Sequence, residues 1–345
     1  MGTNFSLALP QSSRFQFSPE LEICRILNGM WQVSGGHGYI DPEKAVEGMF
    51  PYLDSRFTTW DLADHYGPAE DFIGEFRRRL AARRARGAIA DIQAFTKWVP
   101  SPGPMDRSLV DENVNRSLRR MDLESLDLLQ FHWWDYGDER YLEAVGHLES
   151  LRIEGKIRHL GLTNFDTRHL QKIVDEGYQI VSNQVQYSLI DRRPEMQMAR
   201  YCEEQGIHLL AYGTLAGGLL SERYLGQPEP SRSDLTTASL SKYKQMVDAW
   251  GGWDLLQELL ITLKGIADRH QVSIADVAIR YILDRPTVAG VIVGVRLGVA
   301  DHREDNAKVF DFGLEPEDLG RLESVLSRSR DLYQIIGDCG DEYRR

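Results

Sequence analysis

The chain has few cysteines for its length. Its 345 residues include only Cys24, Cys202 and Cys339, which are far apart and form no C-x-x-C pair. An odd number of widely spaced cysteines is typical of a reducing compartment and argues against a disulfide framework. We therefore expect buried thiols, no metal centre and a cytoplasmic location.

Long apolar runs and excess positive charge are also missing. No stretch approaches the ~18 apolar residues of a membrane span, and the N-terminus lacks the basic start and apolar core of a signal peptide. Lys and Arg total 40 against 52 Asp and Glu, which gives a net charge of −12. An acidic chain has no overall field to attract nucleic acid or anionic lipid. We expect neither partner, and any anionic ligand needs a local basic cluster.

Glycine-rich phosphate-binding loops are missing from the sequence as well. Neither G-x-G-x-x-G nor a P-loop signature follows any apolar segment, which argues against an open dinucleotide-binding sheet. Instead, eight short apolar segments alternate with amphipathic helical stretches, as a closed (β/α)₈ barrel requires. The predicted strands cover residues 26–31, 57–61, 91–96, 126–132, 159–164, 179–185, 207–212 and 288–294.

The fold class that we predict is α/β, a single TIM barrel. At ~150 residues per domain the length suggests about 2.3 domains, but the excess over a ~250-residue barrel has other uses. We assign residues 1–345 to one domain, with the barrel core at 25–310 and a C-terminal helix and tail at 311–345. An N-terminal hairpin at 14–26 and a long loop after strand seven, at 221–252, complete it. A loop of that length is usually functional.

Polar residues stand where the predicted strands end. Asp61 ends strand two with Tyr66 five residues later, Lys97 follows strand three, and His132 ends strand four. In a barrel these positions surround one pocket. A phenol with a pKa of ~10 is a poor acid at neutral pH, and a nearby ammonium lowers that pKa. This predicts Tyr66 as proton donor, Lys97 as the activating cation, Asp61 as its counter-ion and His132 as the group that orients a carbonyl.

The segments that carry these residues resemble the aldo-keto reductases. DLADHYG, FTKW and LLQFHWWD supply the tetrad in order, and LTNF, NQVQY and AYGTLAGGLL resemble the family's next three strand ends. The resemblance covers about residues 27–310. It implies an NADP(H)-dependent oxidoreductase that reduces an aldehyde or ketone, with hydride from the nicotinamide and a proton from Tyr66.

The resemblance also implies cofactor contacts. Asn164 and Gln184 would hold the carboxamide, Tyr212 would stack on the ring, and Gly213, Thr214 and Leu215 would follow the pyrophosphate. The segment after strand eight, GVRLGVADHREDN, has two more residues than is usual between Gly294 and Asn306. The family's phosphate-binding arginine position falls on His302. The basic residues expected there are Arg296, His302 and Arg303, so NADPH is preferred and NADH stays possible.

Tryptophans accompany the predicted site. The predicted pocket residues are Trp31, Trp98, Trp133 and Trp253, which together favour an apolar or aromatic carbonyl substrate. Three alternatives remain open. They are a dehydrogenase that oxidises a sugar or secondary alcohol with the same tetrad, a cofactor-binding regulatory subunit with little turnover, and a barrel lyase or isomerase without nicotinamide.

Overall fold

Ten strands form two sheets in the computed structural model, which describes residues 9–83 and 91–344. Strands β1 (Arg14–Ser18) and β2 (Leu21–Cys24) pair as an antiparallel hairpin. Eight parallel strands close into a barrel, in which the last strand pairs with the first. They are β3 (Ile26–Gly29), β4 (Thr59–Asp61), β5 (Gln93–Trp98), β6 (Leu126–Phe131), β7 (Ile157–Thr163), β8 (Ile180–Gln186), β9 (His208–Tyr212) and β10 (Val288–Gly294). The predicted (β/α)₈ barrel is confirmed.

Helices surround the barrel. They are α1 (Pro42–Asp54), α2 (Ala69–Arg83), α3 (Arg107–Met121), α4 (Arg140–Ile153), α5 (Thr167–Asp175), α6 (Met198–Gln205), α7 (Ala238–Trp250), α8 (Gly252–His270), α9 (Ile274–Leu283), α10 (Arg303–Lys308), α11 (Pro316–Leu326) and α12 (Leu332–Ile336). Several begin at an aspartate whose carboxylate accepts a hydrogen bond from a backbone N–H of the first turn, as at Asp41, Asp106 and Asp166. Such caps satisfy donors that a helix leaves unpaired and are worth ~1 kcal/mol each.

The hairpin closes the amino end of the barrel. Phe17 and Ile23 of the hairpin pack against Leu27, Phe95 and Leu128, whose side chains fill the lower interior. This apolar layer leaves only the opposite end, where the strands finish, for a polar site. A second and larger core lies between the strands and the surrounding helices.

The connection after β9 differs from the prediction. Residues 221–252 were expected to form a loop, but α7 occupies Ala238–Trp250 within it, capped by the Thr237 hydroxyl. The Pro- and Ser-rich part before it contains only short 3-10 turns. The apolar spacing of Leu240, Tyr243 and Val247 buries one helix face, and this spacing outweighs the turn-forming residues nearby.

The helix predicted at 69–86 is described as far as Arg83, and the rest of that prediction lies outside the described residues. The C-terminal tail contains α12 in addition to the predicted helix. Among residues 9–83 and 91–344, no helix is both long and apolar enough to cross a membrane.

Candidate active site

A buried ion pair lies at the centre of the carboxyl end of the barrel. Lys97 at the end of β5 places its Nζ 2.7 Å from Asp61 Oδ2 at the end of β4, and it also donates to the Leu62 carbonyl at 2.8 Å. Both side chains are at most 4% exposed. Burial lowers the pKa of Lys97, and the charge of Asp61 opposes that shift. The predicted pairing of Asp61 with Lys97 is present.

Two glutamine side chains complete this polar layer. Asp61 Oδ1 accepts from Gln184 Nε2 at 2.7 Å and from Gln130 Nε2 at 3.3 Å, and Gln184 Nε2 also lies 2.8 Å from Gln130 Oε1. Gln184, expected as a cofactor ligand, is thus part of the hydrogen-bond network around Asp61. Gln130 is not among the predicted site residues, although it lies two residues before His132 and alternate residues of a strand share a face.

Tyr66 lies beside the ion pair, with the Lys97 Nζ 5.0 Å from its ring centroid. The edge of Trp31 packs against it with ring centroids 4.9 Å apart. Burial raises the pKa of Tyr66 well above 10, and the nearby carboxylates of Asp61 and Asp64 add to the shift. Burial and the two carboxylates thus outweigh the lowering effect that we predict for Lys97. The phenol is held in its protonated form, as a proton donor requires.

His132 is buried and neutral. Its Nδ1 lies 3.1 Å from the Thr163 carbonyl oxygen, which can only accept, so Nδ1 carries the proton. Burial lowers the pKa of His132 to about 4. The other ring nitrogen, Nε2, is buried without a hydrogen-bond partner among the described residues. His132 therefore presents an acceptor, which cannot donate to a carbonyl oxygen, so this tautomer does not fit the predicted role of orienting the carbonyl. Trp134 packs edge-on against its ring at 4.4 Å.

The ends of β7 and β9 bring the predicted nicotinamide contacts together. The Tyr212 hydroxyl donates to Asn164 Oδ1 at 2.8 Å, and Asn164 itself has the left-handed φ of 58°. Gly213 has a φ of 72°, and an added Cβ would lie 2.3 Å from the Tyr243 hydroxyl of α7. Only glycine allows this close approach. The neighbouring Leu215 packs against the main core.

Thr214 carries a second unsatisfied polar atom of this region. Its side chain is buried, and its hydroxyl oxygen has no partner among the described residues. A buried hydroxyl without a partner costs free energy, so a ligand that reaches it gains from the contact.

The basic residues after β10 differ in their exposure and in their hydrogen bonds. Gly294 lies against the Gln32 amide, so closely that an added Cβ would be 2.0 Å from Nε2. Arg296 is exposed, as is His302, and Asn306 is buried. Arg303 is engaged elsewhere, because its guanidinium bonds to Asp301, the Pro51 carbonyl and the Ser55 hydroxyl. This corrects the expectation of three available basic groups, since an aspartate two residues earlier pairs with Arg303.

The four predicted pocket tryptophans lie in different parts of the structure. Trp31 contacts Tyr66, but Trp98 and Trp133 are in the core beside Phe131. Trp133 donates its indole N–H to the Asp135 and Asp138 carbonyls, and Trp253 packs against Tyr224 near the long connection. Trp134, which is not among the four predicted pocket residues, lies against His132 in place of Trp133. Both tryptophans follow the end of β6, so the path of this loop, and not strand alternation, decides which of them faces the site.

The chain matches a known protein family. The model of the aldo/keto reductase family matches residues 25–327. An aldo-keto reductase of Strobilurus tenacellus is 25% identical, over 88% of this chain and 87% of its own. The flagellar radial spoke protein 5 of Chlamydomonas reinhardtii is 28% identical over 68% of this chain, which spans only 52% of that longer protein.

Solved structures show the same fold. The glycerol dehydrogenase of Gluconobacter oxydans superimposes with a TM-score of 0.75 at 24% identity, covering 92% of this chain and 96% of its own. An aldo/keto reductase of Klebsiella pneumoniae, solved with NADP and acetate, gives 0.68 at 23% identity, covering 91% and 95%. With the family match over most of its length, the chain belongs to the aldo/keto reductase family and is an oxidoreductase of that family.

Proposed function

We propose that this protein reduces an aldehyde or ketone to an alcohol with NADP(H), using Tyr66 as the proton donor. The observation that carries the proposal is a protonated phenol beside a buried Lys97–Asp61 pair, at the open end of the barrel. The related structure solved with NADP supports the choice of cofactor class.

The residues around β7 and β9 fit a nicotinamide cofactor. Asn164 and Tyr212 would hold the nicotinamide, and the buried Thr214 hydroxyl, which lacks a partner within the described residues, would meet the pyrophosphate. Gly213 and Leu215 would follow the same backbone path, and Gly294 and Asn306 would border the adenosine half. When bound, the reduced cofactor supplies a hydride to the carbonyl carbon.

The chain's own part is to place the carbonyl and to deliver the proton. The Tyr66 O–H donates to the carbonyl oxygen and gives up its proton as the carbon accepts the hydride, so the product is a neutral alcohol. Lys97, held by Asp61, stabilises the phenolate that is left. Once the alcohol has formed, its hydroxyl can donate a hydrogen bond to Nε2 of His132, which holds the product in place.

The same tetrad could also run the reverse reaction, the oxidation of a sugar or secondary alcohol, with the Tyr66 phenolate as the base. A dehydrogenase is therefore the second candidate function, which the likeness to a glycerol dehydrogenase supports. The intact tetrad argues against a regulatory subunit with little turnover.

Phosphate and substrate recognition follow from the exposed groups. We propose that Arg296 and His302 receive the 2′-phosphate, while Arg303 supports the segment through Asp301. Trp31 and Trp134 border Tyr66 and His132, which favours an apolar or aromatic carbonyl as substrate. We expect the protein to act in the cytoplasm on small molecules, without nucleic acid or membrane partners.

The test is the variant Tyr66→Phe. We expect NADPH to bind as before, measured by quenching of protein fluorescence, while reduction of a generic aromatic aldehyde falls by about 10²–10⁴-fold, the usual share of a general acid. Tyr39→Phe is the matched control, because Tyr39 is 83% exposed. Unchanged turnover in Tyr66→Phe would refute the assignment, and absence of NADPH binding to the native protein would favour the lyase or isomerase reading.

A further inference from the structure

The C-terminal segment 338–344 lies across the open end of the barrel. Gly340 is so close to the loop after β7 that an added Cβ would lie 2.1 Å from the Asn164 carbonyl oxygen. The Arg344 guanidinium donates to the same carbonyl and, at 2.6 Å, to the Tyr136 hydroxyl. The segment therefore packs directly on a residue that we propose for nicotinamide binding.

Tyr343 joins the two halves of the proposed site. Its hydroxyl lies 3.1 Å from that of Tyr212 and accepts a hydrogen bond from Lys242 Nζ. Its ring faces His132 edge-on with centroids 6.0 Å apart. Tyr343 thus contacts the nicotinamide side through Tyr212 and the carbonyl side through His132.

Lys242 strengthens this arrangement. Its ammonium lies 4.6 Å from the ring centroid of Tyr343 and 5.2 Å from that of Tyr212. Both distances are within the range of a cation–π interaction. Such a contact is worth ~0.5–2 kcal/mol, so it holds Tyr343 and Tyr212 together.

The segment is attached to the barrel on both sides of Gly340, because Arg193 also pairs with Glu342 Oε2 at 3.0 Å and Arg344 bonds to Tyr136 and Asn164. The buried Arg193 donates to the Asp338 carbonyl at 2.9 Å, and Asp338 Oδ2 accepts from the Thr167 N–H at 2.8 Å. Beyond this anchor, Gly340 has a φ of 86°, a conformation that glycine adopts at no steric cost. Rotation at Gly340 would move residues 341–344 from the mouth while 338 stays in place, and it would exchange the bonds of Glu342 and Arg344 for bonds to water.

We propose that residues 341–344 are an internal plug that competes with the nicotinamide cofactor and the carbonyl substrate for the mouth of the barrel. This inference rests on the proposed function. Cofactor binds only to the open form, so its apparent dissociation constant is the intrinsic one divided by the open fraction. In exchange, bound cofactor shifts the population toward the open form.

Truncation after Gly340 tests the plug. Arg193 keeps both hydrogen bonds to Asp191 when Glu342 is removed, so the buried guanidinium stays paired. We expect the dissociation constant of NADPH, measured by fluorescence quenching, to fall by about tenfold, as for a plug that is closed about nine times in ten. Tyr343→Phe keeps the ring but loses both hydroxyl contacts, and it should give a smaller decrease.

The matched control is Tyr333→Phe on the nearby helix α12, which removes a tyrosine hydroxyl that accepts a hydrogen bond from Gln197. We expect it to leave NADPH binding unchanged. A second readout uses the full chain, from which carboxypeptidase B releases C-terminal arginines. Release of Arg344 should be slow without NADPH and faster with it.

The outcomes separate the two proposals. If truncation leaves NADPH affinity unchanged or weakens it, the segment is a fixed wall of the site and the plug is refuted while the proposed function stands. If neither the native nor the truncated chain binds NADPH, both proposals are refuted.

Discussion

Replacing Asp61 by asparagine removes the negative charge of the buried ion pair and leaves the Lys97 charge without its partner. Lys97 Nζ lies 2.7 Å from Asp61 Oδ2, and its other hydrogen bond among the described residues goes to the Leu62 carbonyl. Removing one partner of a buried pair costs ~3–5 kcal/mol, because the remaining charge stays desolvated. We expect Asp61→Asn to lower the free energy of unfolding by about this amount at pH 7.

The loss should depend on pH with a definite sign. Burial already lowers the pKa of Lys97, and Asp61 raises it, so the variant lowers this pKa further. The unfolded lysine keeps a pKa of ~10.4. Where the folded variant has a neutral lysine and the unfolded chain a protonated one, stability rises by ~1.4 kcal/mol per pH unit. Between pH 7 and pH 9 the variant should regain up to ~2.7 kcal/mol relative to the native protein.

Urea unfolding at pH 7, 8 and 9 measures both quantities. The double variant Asp61→Asn, Lys97→Met removes the charge and should recover stability and lose the pH dependence. Glu112→Gln is the surface control, because its pair with Arg116 is exposed and such pairs contribute at most ~1 kcal/mol. A loss below ~1 kcal/mol at pH 7, or an equal loss at pH 7 and pH 9, would refute the reasoning.

Two further predictions concern cofactor choice and histidine. The Arg296→Ala, His302→Ala double variant should raise the dissociation constant for NADPH far more than that for NADH, whereas Arg303→Ala should weaken both equally; equal losses in the double variant would place the 2′-phosphate elsewhere. Because the pKa of His132 is lowered to about 4, below its ordinary ~6.5, the folded state should lose stability as pH falls below ~6.5. His132→Phe should reduce that loss in acid unfolding, and an unchanged acid profile would contradict the buried, neutral ring.

Much of the architecture was readable from sequence periodicity. The β10 prediction at 288–294 agrees with the observed strand, and the other barrel strands agree within a few residues. The alternation of short apolar runs with amphipathic stretches is a local property, so it needs no tertiary information. Helix α7 was missed because Pro and Ser before residue 238 suggested a loop, while the buried face of the helix depends on contacts distant in the sequence.

The candidate site, too, was predicted from the sequence only in part. The positions of Asp61 and Lys97 at strand ends follow from the strand boundaries, and the structure pairs them. Which of two neighbouring tryptophans faces the site, Trp133 or Trp134, depends on the path of the loop after β6. Gln130 was overlooked because a glutamine within an apolar strand has no distinctive motif.

The sequence by itself determined the barrel, the order of its strands and the residue types that end them, because periodicity and strand-end chemistry are written along the chain. Only the tertiary structure decided how these groups behave. The pKa of Tyr66 is raised by burial and by carboxylates from separate segments, and Arg303 is engaged by Asp301, Pro51 and Ser55. Tyr343 reaches Tyr212, 131 residues away in the sequence. Electrostatic and packing energies depend on distance in space, and the fold sets those distances.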